Sequence, residues 1–221
     1  RIMTWYNRNK LRASLFDKLI ATENFIMLVI KPISNVEANR AIKEWHRHND
    51  PLPDLHIAFC YALYEHHVAL KHRELLGVAI VGNPCGRTNR KDILEVRRVC
   101  FKPDEKFHKL RRHYFFDDRR KEDISLRQVP ILVYDIEDQV RGLFQGTIVK
   151  SYKIPSFFLQ VAEMYTQQFS LKKDRPVSIL WTYIQDTEDG RYIEEAGWHY
   201  DHYVKSRGAW HSAKRRFAKY L

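Results

Sequence analysis

MLVIKPI, beginning at Met27, is an apolar run without helical spacing and reads as a buried strand. After it, Ala38, Ile42 and Trp45 recur at helical spacing through EANRAIKEWHRH. Ser34 or Asn35 stands where a side-chain oxygen can accept from the free N–H groups of that helix, and Pro51 and Pro53 end it. HIAFCYAL and LLGVAIVG read as consecutive strands. The intervening EHHVALKHRE is long and polar for a tight turn, so either the strands extend or the loop is irregular. NPCGRTNRK has loop chemistry, and ILEVRRVCF is a fourth strand with charges inserted.

Past residue 153 the periodicity returns. Pro155 opens a helix whose inner stripe is Phe158, Val161, Ala162, Tyr165 and Phe169. VSILWTYI is a buried strand, and Asp186 or Thr187 is expected to cap a short helix that stops at Gly197. Residues 102–153 interrupt this plan. Their first part is dense in charge of both signs, mixed with Phe107, Tyr114, Phe115 and Phe116, and their second holds the β-like runs VPILVYDI and GTIVKSYKI. They read as an insertion after the fourth strand. Residues 1–24 read as a helical extension with Leu11, Leu15, Leu19 and Ile20 on its apolar face, and residues 25–221 as one domain. The order β-α-β-β-β-(insertion)-α-β-α-β predicts an α/β chain with a mixed sheet and helices on both faces.

Composition narrows the partners. The chain has 221 residues, 44% hydrophobic, which suffices for a full core without staples. Lys and Arg number 38 against 27 Asp and Glu, a net charge of +11, so anionic partners are concentrated near the surface. Nucleic acid is the commonest such partner, with acidic membranes and anionic cofactors as rivals. The 3 cysteines, Cys60, Cys85 and Cys100, form no C-x-x-C pair, which argues against a disulfide framework or zinc knuckle and for a reducing, cytoplasmic setting. No run approaches the roughly 18 apolar residues that span a bilayer, and no signal peptide is visible, so no membrane partner is expected. Oligomeric state is not encoded in these patterns.

The element order is that of GNAT acyltransferases, and GRYIEEAGWHY resembles their last conserved helix, which commonly ends in Gly followed by an aromatic residue. More specifically, EANRAIKEWHRHNDP, LLGVAIVGNPCGR, LEVRRVC, ILWTYIQDTEDGRYIEEAGW and RGAWHSAKRR resemble, in this order, blocks of phage and prophage proteins related to the Mom DNA-modification protein. The resemblance is closer to those relatives than to Mom itself. It implies a GNAT-like fold and a transferase acting on an exocyclic nitrogen of a nucleobase, as Mom takes part in converting adenine in DNA to a carbamoylmethylated form. The chain departs from ordinary GNAT enzymes twice. Where they carry a Gly-rich loop for the CoA pyrophosphate, this chain reads SYKIPS, leaving Lys153 and Ser156 as the cofactor-binding candidates. Where many carry a Tyr four residues before the Gly of the last helix, it has Ile193, with Tyr192 next door. Acyl-CoA therefore stays an open cofactor without its usual loop, and the group donor is unassigned.

The candidate catalytic residues are Glu95, Arg98 and Tyr183. Strict alternation in ILEVRRVC would set Leu94, Val96, Arg98 and Cys100 on one face and Glu95 on the other. An Arg among apolar neighbours needs an acidic partner or an anionic ligand. Glu95 lies on the strand where GNAT proteins position the acyl carbonyl, and a partly desolvated carboxylate makes a useful base. Ion pairing of Glu95 and Arg98 within the sheet is the structural alternative. Tyr183 stands at a strand end leading into a helix, as an acid or a stacking platform. His46, Arg47, His48 and His56 cluster near one helix end and suit contact with DNA; three histidines could instead hold a metal, but His46 and His48 point different ways on a helix and none is assigned, and cationic histidine at a helix C-terminus is the structural alternative. Arg87, beyond a strand end in GNPCGR, suits phosphate or merely belongs to a β-turn. Arg207, Trp210, His211 and Arg215 in RGAWHSAKRR interleave cations with an aromatic residue and an imidazole, as binding of exposed bases requires. The competing expectations are an acyl-CoA-dependent N-acyltransferase acting on a small amine or protein, and a noncatalytic nucleic-acid-binding module.

Overall fold

A computed structural model describes residues 26–45, 52–67, 72–84, 88, 90–103, 128–134, 147–150, 154–205 and 213–221. The helical extension expected over residues 1–24 lies outside them.

The strands are β1 (Ile26–Ile33), β2 (Ile57–His67), β3 (His72–Gly82), β4 (Ile93–Phe101), β5 (Gln128–Val133), β6 (Thr147–Lys150), β7 (Ile179–Gln185), β8 (His199–Val204) and β9 (Lys214–Tyr220). The helices are α1 (Asn35–Trp45), α2 (Ile154–Lys173) and the short α3 (Arg191–Glu195), with a 3-10 turn at Asp54–His56. All the strands join one sheet in the order β6-β5-β1-β2-β3-β4-β7-β9-β8. β1 to β4 form an antiparallel meander, β4 and β7 run parallel, and β9 is inserted between β7 and β8. The fold is the mixed α/β sheet that the sequence predicts, with one strand more than expected, because the basic tail forms β9.

Each face of the sheet is covered for a reason visible in the sequence. α2 buries Phe158, Val161, Ala162, Tyr165 and Phe169, its predicted stripe, against Leu94, Val96, Leu180 and Phe217. Each such large side chain contributes about 1.5–3 kcal/mol by leaving water. α1 lies on the opposite face, where Ala38, Ala41 and Ile42 pack on Cys60, Ala62, Val78, Ile80 and Cys100. Its start is a capping box: Glu37 N–H donates to Ser34 Oγ at 3.2 Å, and Ser34 N–H donates to Glu37 Oε2 at 3.1 Å. The hydrogen bonds from the Ser34 hydroxyl and backbone hold the Glu37 carboxyl below its ordinary range.

The long polar segment between β2 and β3 resolves into strand extension, with pairing continuing to His67↔His72. The strands of the 102–153 segment add to the main sheet. β5 pairs parallel with β1 (Leu28↔Ile131), and β6 pairs antiparallel with β5. The short helix α3 is not capped by Asp186 or Thr187. Its N-cap is Gly190, without a side-chain cap, and Asp189 Oδ1 accepts from Arg191 N–H at 3.0 Å. Its end is as predicted: Gly197 takes φ +82, and the next N–H, from Trp198, bonds Ile193 O at 3.2 Å.

Candidate active site

The parallel pair β4/β7 opens partway along its length. Its ladder runs only from Ile93↔Ile179 to Val96↔Thr182. Thr182 Oγ1 donates to Val96 O at 3.1 Å on this last rung. Beyond it β4 continues with β3 and β7 continues with β9, so the two strands diverge. The first residues past the fork are Arg97 and Tyr183. A gap at the C-terminal ends of parallel strands is where open α/β sheets accept ligands.

A β-bulge decides which side chains share this opening. Between Ile80↔Arg98 and Val81↔Val96 the register shifts, making Arg97 the extra residue. Val81 and Val96 belong to the α2-side core, whereas Ile80 belongs to the α1-side core. Arg98, opposite Ile80, therefore lies on the α1 face. Glu95, opposite Gly82 and next to Trp181, lies on that same face. Unbroken alternation would have put Glu95 and Arg98 on opposite faces, with Arg98 beside Leu94 and Val96. The inserted residue reverses that assignment and brings acid and guanidinium to one side.

Glu95 is only 5% exposed, one rung inside the fork. Arg98 is half-buried and donates through Nη1 to Arg97 O at 2.7 Å. Tyr183, half-buried, stands directly opposite Arg216 on β9. Arg216 lies 4.2 Å over the Trp181 ring, and its Nε bonds Asp201 Oδ2 at 2.6 Å. Desolvation works against its charge, but hydrogen bonds to Tyr183 and Asp201 outweigh that and raise its pKa. The phenol oxygen of Tyr183 accepts from Arg216. A buried carboxylate, a half-buried arginine and a phenol held by a second arginine thus flank one opening.

The other candidates are distributed differently. His56 is exposed in the 3-10 turn; its carbonyl accepts from Asn83 N–H at 2.9 Å, and the turn closes over Gly82 beside Glu95. Arg215 faces the α2 side, where it bonds Glu188 O and lies 3.8 Å from Asp186, so it braces the β7–α3 loop. Ser156 is buried, with Oγ donating to Glu195 Oε2 at 3.2 Å, which ties the first turn of α2 to α3. His46, Arg47, His48, Arg87, Lys153, Arg207, Trp210 and His211 lie outside the described residues. Sequence reasoning missed Arg97, Trp181, Asp201 and Arg216. The Arg-Arg pair inside an apolar strand was a signal for the first, but only strand pairing sets Arg216 against Tyr183. Among the described residues no group of His, Cys, Asp and Glu is arranged to hold a metal ion, and no helix is long and apolar enough to cross a membrane.

No protein-family model matches the chain, and no curated protein matches it. Solved structures similar to it include a GNAT-family acetyltransferase from Streptococcus pneumoniae, with TM-score 0.44 and 8% identity over 88% of this chain and 99% of that one. Another is the spermidine/spermine N-acetyltransferase SpeG from Vibrio cholerae, with TM-score 0.43 and 9% identity over 88% of this chain and 92% of that one. The scaffold is GNAT-like. That statement rests on the chain's own strand order, on β9 inserted between β7 and β8, and on the forked β4/β7 pair.

Proposed function

We propose that this GNAT-like scaffold is a Mom-like transferase that modifies an exocyclic nitrogen of a DNA base. The observation that carries the proposal is the pairing, at one opening, of a buried carboxylate (Glu95) with an oriented phenol (Tyr183). The ordered Mom-like blocks and the net charge of +11 supply the direction toward DNA. The target base is flipped out or already single-stranded, because pairing otherwise occupies the exocyclic nitrogen. That nitrogen attacks an electrophilic carbon of the donor, forming the N–C bond. Glu95 takes the proton from the attacking nitrogen, the bond from carbon to the leaving group breaks, and Tyr183 protonates the departing group. Arg98 pairs with an anionic group of the substrate. The ordinary CoA seat does not fit this chain: SYKIPS has no glycine, and Ser156 is engaged by Glu195. No step is therefore assigned to CoA.

The test is mass spectrometry of nucleosides from the DNA of cells expressing the chain. A new nucleoside is expected, and Glu95→Gln should lower its yield by roughly 10²–10⁴-fold, the usual range for a general base. Absence of any new nucleoside in the native host, with folded protein present, overturns the proposal. A second reading, an acyl-CoA-dependent N-acyltransferase, is favoured by the forked β4/β7 pair alone. Calorimetry with acetyl-CoA separates the two, since tight binding would restore the acyltransferase.

A further inference from the structure

We infer that Arg97, at the bulge where β4 and β7 part, seats a phosphate group. Its Nε is buried and has no hydrogen-bond acceptor among the described residues. Arg175 is supplied by Lys91 O and Asn83, and Arg216 through its Nε by Asp201, whereas Arg215 bonds Glu188 O through Nη2 but shares with Arg97 a buried Nε lacking an acceptor among the described residues. A buried guanidinium N–H without an acceptor is a cost that an anionic ligand removes. The Nε edge of a guanidinium matches the spacing of two phosphate oxygens. Position agrees with chemistry, because Arg97 is the first residue of β4 beyond the last rung with β7. Arg98 follows it in the strand, and across the fork Tyr183 opens the β7 arm with Arg216 paired to it on β9. Asp201, the acid nearest Arg216, is already bonded to it. The inference deepens the proposed function only in taking the same fork as the ligand site.

The experiment measures binding of inorganic pyrophosphate to the full chain by calorimetry, with Arg97→Gln and Arg97→Lys alongside. Arg97→Gln should weaken binding by roughly 10- to 100-fold, the loss of a charge-assisted pair, and Arg97→Lys should fall between. Without ligand, Arg97→Gln should melt at or above the wild-type temperature; if it misfolds, Arg97→Lys carries the comparison. Two further arms identify the source. Coenzyme A against pantetheine reports a donor phosphate, and a single-stranded oligonucleotide against its methylphosphonate analogue reports a nucleic-acid phosphate. Dependence on Arg97 in either arm supports the seat. It is overturned if the wild type binds no pyrophosphate, or if both variants bind it equally well. Neither outcome depends on a modified nucleoside, so this inference and the proposed activity fail separately.

Discussion

Replacing Gly82 with Ala tests whether the 3-10 turn is seated over the sheet beside Glu95. An added Cβ would overlap the carbonyl of His56, a backbone group that cannot swing aside. Asn83 N–H also bonds that carbonyl at 2.9 Å, so moving the turn breaks this contact. Overpacking costs about 1–3 kcal/mol and the lost hydrogen bond about 0.5–1.5, together roughly 2–4 kcal/mol. At about 2–4 °C per kcal/mol for a domain of this size, the melting temperature should fall by roughly 4–16 °C. Gly77→Ala is the matched control. Its Cβ would meet the Phe101 ring at 2.7 Å, a half-buried side chain able to turn, so its cost should be smaller, about 1 kcal/mol. Urea and thermal unfolding of both variants give the comparison. A Gly82→Ala protein melting within a degree or two of wild type, or a larger loss for Gly77→Ala, refutes the packing argument. Because Gly82 is paired with Glu95, nucleoside yield should fall along with stability.

Three further predictions address the fork and its flanks. Thr182→Val removes the bond to Val96 O and should cost about 0.5–1.5 kcal/mol while speeding amide exchange at Arg97; unchanged exchange would mean the last rung does not depend on it. A double-mutant cycle of Arg216→Leu and Trp181→Leu should show coupling of about 0.5–2 kcal/mol, the range for a stacked cation; additivity would deny the stack. At the closed end of the β4/β7 pair, hydrogen bonds from Arg90 and Ser178 hold the Asp92 carboxyl well below the carboxylate range. A lowered folded-state pKa contributes stability above the unfolded value of about 3.9, and that contribution is lost as pH falls through the lower folded value. Acid titration should therefore separate wild type from Asp92→Asn above about pH 4 and bring their stabilities together below it; a constant difference across that window would show that Asp92 is not the titrating group.

What could be read from the chain was whatever depends on local period. The stripe of α2, the buried residues of α1, the strands of the meander and the stop at Gly197 each leave a repeat or a special residue in the sequence. Glu95 and Tyr183 could be nominated as candidates because charge or a phenol within an apolar strand is itself a signal. Which side they face, and what they meet, could not. Arg97 looks like any other strand residue in ILEVRRVC, and only its pairing with β3 reveals it as the extra residue that moves Arg98 from the α2 face to that of Glu95. Arg215 and Arg216 are adjacent in one basic run, yet pleating sends one to brace the β7–α3 loop and the other to Tyr183 and Trp181. Asp186 had the chemistry of a cap, but the chain turns into α3 only after Gly190. By itself the sequence determined most of the elements, their order up to the last helix and the stock of reactive groups, because propensity and periodicity act over a few neighbours; β9, in the basic tail, left no such signal. Tertiary structure alone decided the bulge, the fork and the company each charge keeps. Those follow from register between strands tens of residues apart, and a shift of one residue there reverses a face.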